Sequence, residues 1–230
     1  MTPPAALSAQ DYLAAIYEMQ EEGIAPVQAE VARWMGVSAA SVSEAVKRLR
    51  RDGLVSTGPR ELRFTPRGRR AAERVVRRHR LAERFLIEVI GLPWHRAHHE
   101  AGPWERAISD EVEQRLAAIL GDPATCPHGN PIPGSGRHVD LSGLLALQSC
   151  PAGTRATVAR LTEDLELDLE VMRYFENNGL MPGGEVSVVD TAPDGTKTLE
   201  VRSRRVGLGP ELADNVWVRV HPVAAIRPRA

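Results

Sequence analysis

The sequence predicts a mainly α-helical fold with a small β component: an N-terminal winged helix-turn-helix, a helical middle domain and a C-terminal SH3-like barrel. Three observations support this prediction. Three short helical patterns precede a basic hairpin, a long apolar helical pattern follows over residues 66–90, and the pattern then changes to short alternating strands. We place the domains at 1–73, 74–140 and 153–230, with a linker at 141–152.

The composition is that of a globular protein whose cores rest on aliphatic side chains. Apolar residues make up 43% of the 230 positions, whereas aromatic residues make up 4%. No apolar run approaches the roughly 18 residues of a membrane helix, and the N-terminus lacks a basic-then-apolar signal pattern, so we expect a cytoplasmic protein. Cys126 and Cys150 are expected to be reduced thiols.

Positive charge is concentrated in one segment of the chain. Residues 41–80 contain 13 Lys or Arg and four Asp or Glu, a net charge of +9, while the whole chain has a net charge of −1. The rest of the chain therefore carries about −10. Because a solvated charged helix would mix the two signs, this segregation favours a nucleic-acid-binding face.

The first three helical patterns are each bounded by capping or turn residues. "SAQDYLAAIYEMQEEG" predicts a helix that Ser8 caps and Gly23 ends. "PVQAEVARWMGV" predicts a shorter helix that opens at Pro26 and turns at Gly36. "SAASVSEAVKRLRRDGLV" predicts a third helix with Ser38 as its N-cap. Its apolar stripe at positions i, i+3, i+4 and i+7 consists of Val42, Ala45, Val46 and Leu49.

The third helix and the hairpin after it, whose turn is Gly58-Pro59-Arg60, complete a predicted winged helix-turn-helix. The recognition helix of such a unit places its N-terminal residues at base edges in the major groove, and basic side chains reach the phosphates. Three-helix units also bind proteins, but the segregated charge favours double-stranded DNA. The residues expected at the DNA are Ser38, Ala40, Ser41, Ser43, Glu44, Lys47, Arg48, Arg51 and Arg60.

Residues 66–90 predict one long helix or a close pair of helices, with another helix from Trp104 to Leu120 packed alongside. The long pattern has a wider apolar surface than a connecting helix needs, so we expect a subunit interface and a homodimer. The apolar residues of this surface are Val75, Leu81, Phe85, Leu86, Val89 and Ile90.

The C-terminal third reads as a small barrel that contains one helix. Residues 121–152, rich in Pro, Gly and Ser, predict an ordered loop and a linker, and we assign Cys126 and His128 to this loop rather than to a metal site. Strands are predicted at "ATVARL", "EVSVVD", "TLEVRS" and "VWVRV", with a hairpin turn at "APDG". "LDLEVMRYFENNGL" predicts a helix that Gly179 ends.

Two histidine–carboxylate pairs have helical spacing. His79 and Glu83 are four positions apart and His98 and Glu105 are seven apart, so each pair shares a helix face. Imidazole with carboxylate suits Mn, Fe, Ni, Co or Zn, and the lack of a nearby thiol disfavours soft ions. One such pair is more often a surface pair, but two pairs on neighbouring helices favour a metal site.

Six motifs follow one another along the chain: "DYLAAIYEMQEEG", "SVSEAVKRLRRDGLV", "TPRGRRAA", "RHRLAERFLIEVIGL", "HHEAGPWERAISDEVEQRL" and "GNPIPG". In these motifs the chain resembles the diphtheria toxin repressor family of metal-dependent transcriptional repressors, which has iron-responsive and manganese-responsive members. The resemblance covers nearly the whole chain. It implies a homodimer whose helical dimerisation and metal-binding domain holds two metal sites, and a metal ion that acts as co-repressor on operator DNA.

The resemblance implies an ancillary metal site with ligands from the middle domain and the barrel. His79, Glu83 and His98 stand at the family's ligand positions in the middle domain. In the barrel, Asp168 matches an acidic ligand. Val171 stands where an amide is expected, so Glu170 is the substitute ligand.

The primary site implied by the resemblance departs from the family pattern. Asp11 and Glu105 match ligands, but Gly102 stands where the family has Cys or Glu, and Arg106 stands where it has His. Three interpretations remain open. Arg106 forms a salt bridge with Asp11 and Glu105 in place of the metal, a kink at Pro103 brings His99 or Glu100 into the coordination sphere, or the site is lost. We favour an altered site over its complete loss.

The oxygen-rich ligand set without a thiol predicts Mn(II), with Fe(II) as the second choice. The predicted function is a metal-dependent repressor of metal homeostasis genes. One alternative is a metal-independent winged-helix regulator with a degenerate primary site. Another is a metallo-hydrolase, but the sequence has no nucleophile elbow, phosphate loop or HExxH motif, so we do not expect an enzyme.

Overall fold

The computed structural model describes residues 7–58 and 61–222, with the backbone alone at residue 57. These residues form two compact units. The first contains the described residues up to 90 together with 100–124 and 132–137, and the second contains 91–99, 125–131 and 138–222. None of the helices within the described ranges combines the length and the apolar character that crossing a bilayer requires.

Three helices open the first unit at the positions that the sequence predicts. They are α1 (Ala9–Glu21), α2 (Gln28–Trp34) and α3 (Ala39–Arg51). Ser8 and Asp11 form a capping box at the start of α1, and the Ser38 hydroxyl accepts the backbone N–H of Ser41 at the start of α3. The predicted apolar stripe of α3 is fully buried and packs against Ile16 and Val31 of the other two helices.

A two-stranded wing follows, and a close backbone approach holds it against the next helix. Strand β1 (Val55–Thr57) pairs antiparallel with β2 (Leu62–Phe64), and helix α4 (Pro66–Glu88) begins directly afterwards. Gly68 is required in the first turn of α4, because a Cβ there would lie 1.7 Å from the carbonyl oxygen of Leu54. The turn residue Arg60, predicted to contact DNA, lies outside the described residues.

The predicted helix from Trp104 to Leu120 is wrong in its extent, because two helices occupy this region. After a 3₁₀ turn at Trp94–Arg96, α5 spans Ala97–Ala107 and α6 spans Asp110–Ile119. Helix α5 continues through Pro103, and the break comes at Ser109, whose hydroxyl accepts the N–H of Val112. Acidic residues in the first turn of α6 further favour a new helix start there.

The apolar surface predicted on residues 66–90 is divided between core and solvent. Val75, Leu81 and Leu86 are buried within the chain. Val89 and Ile90, at the end of α4, are 52% and 58% exposed. The large apolar residues that are exposed on the described helices of the first unit therefore lie at the end of α4, at Trp104 of α5, and at Val112 and Ile119 of α6.

The second unit is built on a six-stranded antiparallel sheet. Its strands are β3 (Leu144–Ala146), β4 (Arg155–Leu161), β5 (Glu185–Thr191), β6 (Lys197–Val201), β7 (Arg204–Leu208) and β8 (Val216–Val220), in the spatial order β3-β8-β4-β5-β6-β7. Strand β3 lies in the segment expected to be a linker, and β7 was not predicted. The strand predicted at "TLEVRS" stops at Val201, because Arg202 and Ser203 adopt positive φ and turn the chain into β7.

Between residues 138 and 222, three α-helices accompany the sheet: α7 (Glu163–Glu166), α8 (Leu169–Asn178) and α9 (Pro210–Asp214). Helix α8 buries Met172 and Phe175 and ends at Gly179 in the left-handed conformation, as the sequence predicts. The predicted fold class, mainly helical with a winged helix and a small β domain, is confirmed.

Candidate metal centre and nucleic-acid interface

Three potential metal ligands come together in the second unit. The Nδ1 atom of His98 lies 3.1 Å from Oε2 of Glu166 and 4.0 Å from Oε2 of Glu163. One ligand atom from each of the three residues lies within 4.8 Å of the other two. The two glutamates are each only 4% exposed, and buried carboxylates are rare unless they are paired or bind a cation. An imidazole with two buried carboxylates is a donor set for a divalent ion.

The short helix α7 explains how both carboxylates reach the same place. Glu163 and Glu166 are three positions apart, so a single helical turn puts their side chains on one face. The Nδ2 amide of Asn130 donates a hydrogen bond to Oε1 of Glu166 at 2.8 Å, and both residues are buried. This second contact fixes the carboxylate's orientation, as the partners of metal ligands commonly do.

His128, which the sequence predicts to lie in an ordered loop, also belongs to this site. Its Nδ1 atom lies 2.7 Å from Oε2 of Glu166, and its side chain is completely buried. The Trp94 ring packs edge-on against the His128 ring, and the backbone carbonyl of His128 accepts the N–H of Leu161 at 2.9 Å. The only sequence signal was a histidine two positions after a cysteine, and the Pro and Gly around it masked that signal.

The two barrel ligands expected from the resemblance lie elsewhere on the second unit. Asp168 is the N-cap of α8, where its carboxylate accepts the N–H groups of Glu170 and Val171 at 2.9 and 3.1 Å. The Glu170 side chain is 75% exposed and pairs with Arg173. Glu163 and Glu166, one turn earlier in the chain, are the carboxylates that the fold brings to His98.

In the first unit, His79 joins two of the predicted metal ligands. Its Nε2 atom lies 3.1 Å from Oε1 of Glu83, and its Nδ1 atom lies 2.8 Å from Oε2 of Glu105. Burial lowers the pKa of His79, but the charge of Glu83 and the hydrogen bonds with both carboxylates outweigh that effect. The pKa therefore lies well above its usual 6.5. This arrangement favours a positive charge between the two carboxylates.

The predicted primary-site residues are arranged around an ion pair. Nη1 of Arg106 lies 3.6 Å from Oδ2 of Asp11. Gly102 offers no side-chain donor. His99 is exposed and Glu100 is half-buried, on an α5 helix that remains regular through Pro103. Of the two ion pairs expected for Arg106, the structure thus contains the one with Asp11.

The predicted DNA-contacting residues form the solvent face of α3. Ser43 is half-buried and the others within the described part of the chain are exposed, while the opposite face is the buried stripe. Ser38 and Ser41 hydrogen bond to each other at the N-terminus of the helix, and Lys47 pairs with Glu44 at 2.8 Å. Short polar groups at the start of α3 and basic groups after them suit base edges and phosphates, respectively.

Comparison with protein families matches three consecutive parts of the chain. The N-terminal DNA binding domain of iron dependent repressors matches residues 6–61, and their metal binding and dimerisation domain matches residues 65–134. The FeoA domain matches residues 145–220, the part that forms the six-stranded sheet.

Individual relatives match over nearly the whole chain. The iron-dependent repressor IdeR of Mycobacterium tuberculosis is 39% identical over 218 residues, covering 90% of this chain and 94% of that protein. The diphtheria toxin repressor of Corynebacterium diphtheriae is 37% identical over 219 residues, with the same coverage of each chain. A solved manganese-dependent transcriptional repressor in complex with manganese has a TM-score of 0.82 and 35% identity, covering 93% of this chain and 100% of that chain.

Proposed function

The chain belongs to the iron-dependent repressor family of metal-dependent transcriptional repressors, and we propose that Mn(II) is the ion that activates it, with Fe(II) as the second choice. In this proposal the protein binds operator DNA as a homodimer in the cytoplasm and controls metal homeostasis genes. The observation that carries the metal assignment is the His98 imidazole beside the two buried carboxylates of Glu163 and Glu166.

The donor set of this cluster fits a divalent ion of intermediate hardness. Carboxylate oxygens and imidazole nitrogens suit manganese and iron, whereas soft ions prefer thiolates. His98, Glu163 and Glu166 would hold the ion, and Asn130 would keep the Glu166 carboxylate in place. His79 and Glu83 remain predicted ligands because of the resemblance. When bound, the ion would supply a fixed double positive charge that neutralises the buried carboxylates.

The DNA-contacting part of the proposal rests on the exposed face of α3. Ser38 and Ser41 are placed to approach base edges, and Lys47 and Arg48 to neutralise phosphates. Two such helices, one from each protomer, would read two half-sites of one operator. The exposed apolar residues Val89 and Ile90 are our candidates for the contact between protomers.

Metal control requires that the ion prefer one conformational state of the protein. An ion that binds the DNA-competent dimer more tightly than the protein's other conformational states shifts the population toward that dimer. The ratio of the ion's affinities for the two states limits the size of this shift. A tenfold gain in DNA affinity corresponds to a coupling free energy of about 1.4 kcal/mol, which lies in the ordinary range for allosteric proteins.

The proposal is tested by fluorescence anisotropy of labelled DNA taken from the region upstream of this protein's own gene. The full-length protein is titrated first in chelator and then in Mn(II) at constant ionic strength, because DNA affinity depends strongly on salt. We expect DNA affinity to rise at least about tenfold in Mn(II). A Lys47→Ala/Arg48→Ala variant controls for binding through α3, because it removes two expected phosphate contacts, and is expected to bind weakly in both conditions.

The outcomes separate the function from the identity of the metal. Tight and equal DNA binding in chelator and in Mn(II) would contradict metal control and favour a metal-independent regulator. Activation by saturating Fe(II) but not by saturating Mn(II), measured without oxygen, would refute the manganese assignment while the repressor function stands.

A further inference from the structure

The residues at the implied primary metal site do not fit a divalent ion. Arg106 has no lone pair to donate and carries a permanent positive charge. Gly102 has no side chain. Of the four positions that the resemblance assigns to this site, only Asp11 and Glu105 carry donor side chains, and two carboxylates are few for an ion that prefers about six oxygen or nitrogen ligands.

The two remaining carboxylates are already engaged with positive or donating groups. Oδ2 of Asp11 accepts the backbone N–H of Ser8 at 2.5 Å and lies 3.6 Å from Nη1 of Arg106. The Asp11 side chain is 14% exposed, so its charge is mostly shielded from water. Glu105, which is 8% exposed, is hydrogen bonded to His79 at 2.8 Å. The carboxylates therefore have separate partners rather than converging on one ion.

We propose that the Arg106 guanidinium replaces the primary-site metal as a fixed positive charge, so that the chain ties α5 to α1 without an ion at that position. This inference rests on the proposed function, because it concerns which of the family's metal sites remains in use. A guanidinium beside Asp11 also repels an incoming dication. Metal control then depends on the cluster of His98, Glu163 and Glu166, and on the predicted ligands His79 and Glu83.

This arrangement has a consequence for the conformational switch. If a metal ion connected α5 to α1, removing that ion would break the connection between the two helices. Here the ion pair between Arg106 and Asp11 persists in chelator. The amides of α1 should therefore be equally protected from hydrogen exchange with and without Mn(II). The connection is modest in strength, because Arg106 is 40% exposed and exposed ion pairs are weak.

A double-mutant cycle on the full-length protein tests the inference with two readouts. The variants are Arg106→Ala, Asp11→Asn and both together, where Asn retains an acceptor for the Ser8 N–H. The first readout is the number of Mn(II) ions bound per chain, measured by elemental analysis after equilibrium dialysis against Mn(II). The second is hydrogen–deuterium exchange of the amides of α1, in chelator and in Mn(II), which reports local opening.

We expect all three variants to bind as many Mn(II) ions per chain as the wild type. The α1 amides of each single variant are expected to exchange about two- to fivefold faster than those of the wild type in both conditions. The α1 amides of the double variant should exchange no faster than those of the singles, because the same interaction is removed in each case. Arg115→Ala is the matched control, since it removes an exposed ion pair with Glu111 within α6 and is expected to leave α1 unchanged.

Two results would overturn the inference. Loss of one Mn(II) per chain in Asp11→Asn would identify Asp11 as a metal ligand, and unchanged α1 exchange in Arg106→Ala would show that the ion pair does not hold the helix. Neither result depends on DNA. If the DNA affinity of the wild type is the same in chelator and in Mn(II), the proposed function fails, while the double-mutant cycle still tests the role of Arg106. If DNA binding responds and Asp11→Asn loses an ion, only this inference fails.

Discussion

The Nδ1 atom of His98, at the start of α5, lies 3.1 Å from Oε2 of Glu166 in α7. The same carboxylate group lies 2.7 Å from Nδ1 of His128 and accepts a hydrogen bond from Asn130. A buried carboxylate surrounded by two imidazoles and an amide is the most heavily connected group of the second unit's candidate metal centre. The function of the chain should therefore be most sensitive to substitution at Glu166.

Replacement of Glu166 by Gln should weaken Mn(II) binding by at least about tenfold, because an anionic ligand is lost while the side chain keeps its size. Metal-activated DNA binding should weaken in parallel. Isothermal titration calorimetry with Mn(II) measures the first effect and DNA anisotropy the second. Glu170→Gln, on the exposed face of α8, is the control and should bind Mn(II) as the wild type does. If both variants bind Mn(II) equally well, Glu166 is not a ligand.

Removal of basic side chains from α3 should weaken DNA binding at every sequence and reduce its salt dependence. Lys47 and Arg48 are exposed and placed for phosphate contacts. Each lost phosphate contact should lower the slope of log K against log salt by about 1. Anisotropy titrations between low and moderate salt measure the slope for Arg48→Ala. Arg173→Ala, on α8 of the second unit, is the control, and an equal change of slope there would argue against α3 as the DNA-binding face.

Gly129 should tolerate no side chain, because it fixes the loop that carries His128. Its φ is +92°, and a Cβ would lie 2.2 Å from the carbonyl oxygen of Ala159. Gly129→Ala should therefore lower the free energy of unfolding by more than about 2 kcal/mol, combining backbone strain with displacement of the neighbouring strand. Gly153→Ala is the matched control, because Gly153 has a φ of +89° and no described atom within 4 Å of its Cβ position.

The comparison of Gly129→Ala with Gly153→Ala is made by urea unfolding in chelator. The control should lose only the strain of a positive φ, about 1 kcal/mol. Equal losses in the two variants would mean that the strand next to Gly129 can move aside at little cost, and the close approach would then not be what fixes His128.

Glu176 should make the stability of the second unit depend on pH in the acid range. Burial raises the pKa of its carboxyl, but hydrogen bonds from the His95 side chain and from the backbone N–H groups of His95 and Trp94 outweigh that effect. The pKa therefore lies below its usual 4.5. A carboxyl whose pKa is lower in the folded state contributes stability that is present above the unfolded pKa and is lost as pH falls through the folded pKa.

The stability difference between the wild type and Glu176→Gln should accordingly be about 1 kcal/mol near pH 7 and should shrink as pH falls from about 5 toward 3. Urea unfolding at a series of pH values in chelator measures it. Glu170→Gln, on the same helix but highly exposed, should show no such trend. A difference that grows on acidification would have the wrong sign and would rule out this role for the Glu176 carboxylate.

Local structure could be predicted from the sequence because its causes are local. The caps at Ser8 and Ser38 and the left-handed Gly179 set helix ends within a few residues, and the periodic stripe of α3 separated its buried face from its exposed one. The sequence motifs also predicted the family, and the matches to iron-dependent repressors confirm that prediction. The break at Ser109 was missed, because a continuous helical pattern concealed a cap that is also local.

The candidate metal centre was decided by tertiary structure. No spacing rule connects His98 with Glu163 and Glu166, because the strand β4 and the loop that carries His128 determine where α7 lies. The resemblance implies Asp168 and Glu170 as the barrel ligands, and the structure places these two side chains at the start of α8. The sequence by itself determined the residue types available: an imidazole, carboxylates and an arginine where a histidine is expected. Which of them meet, as Arg106 meets Asp11, depended on packing between distant segments.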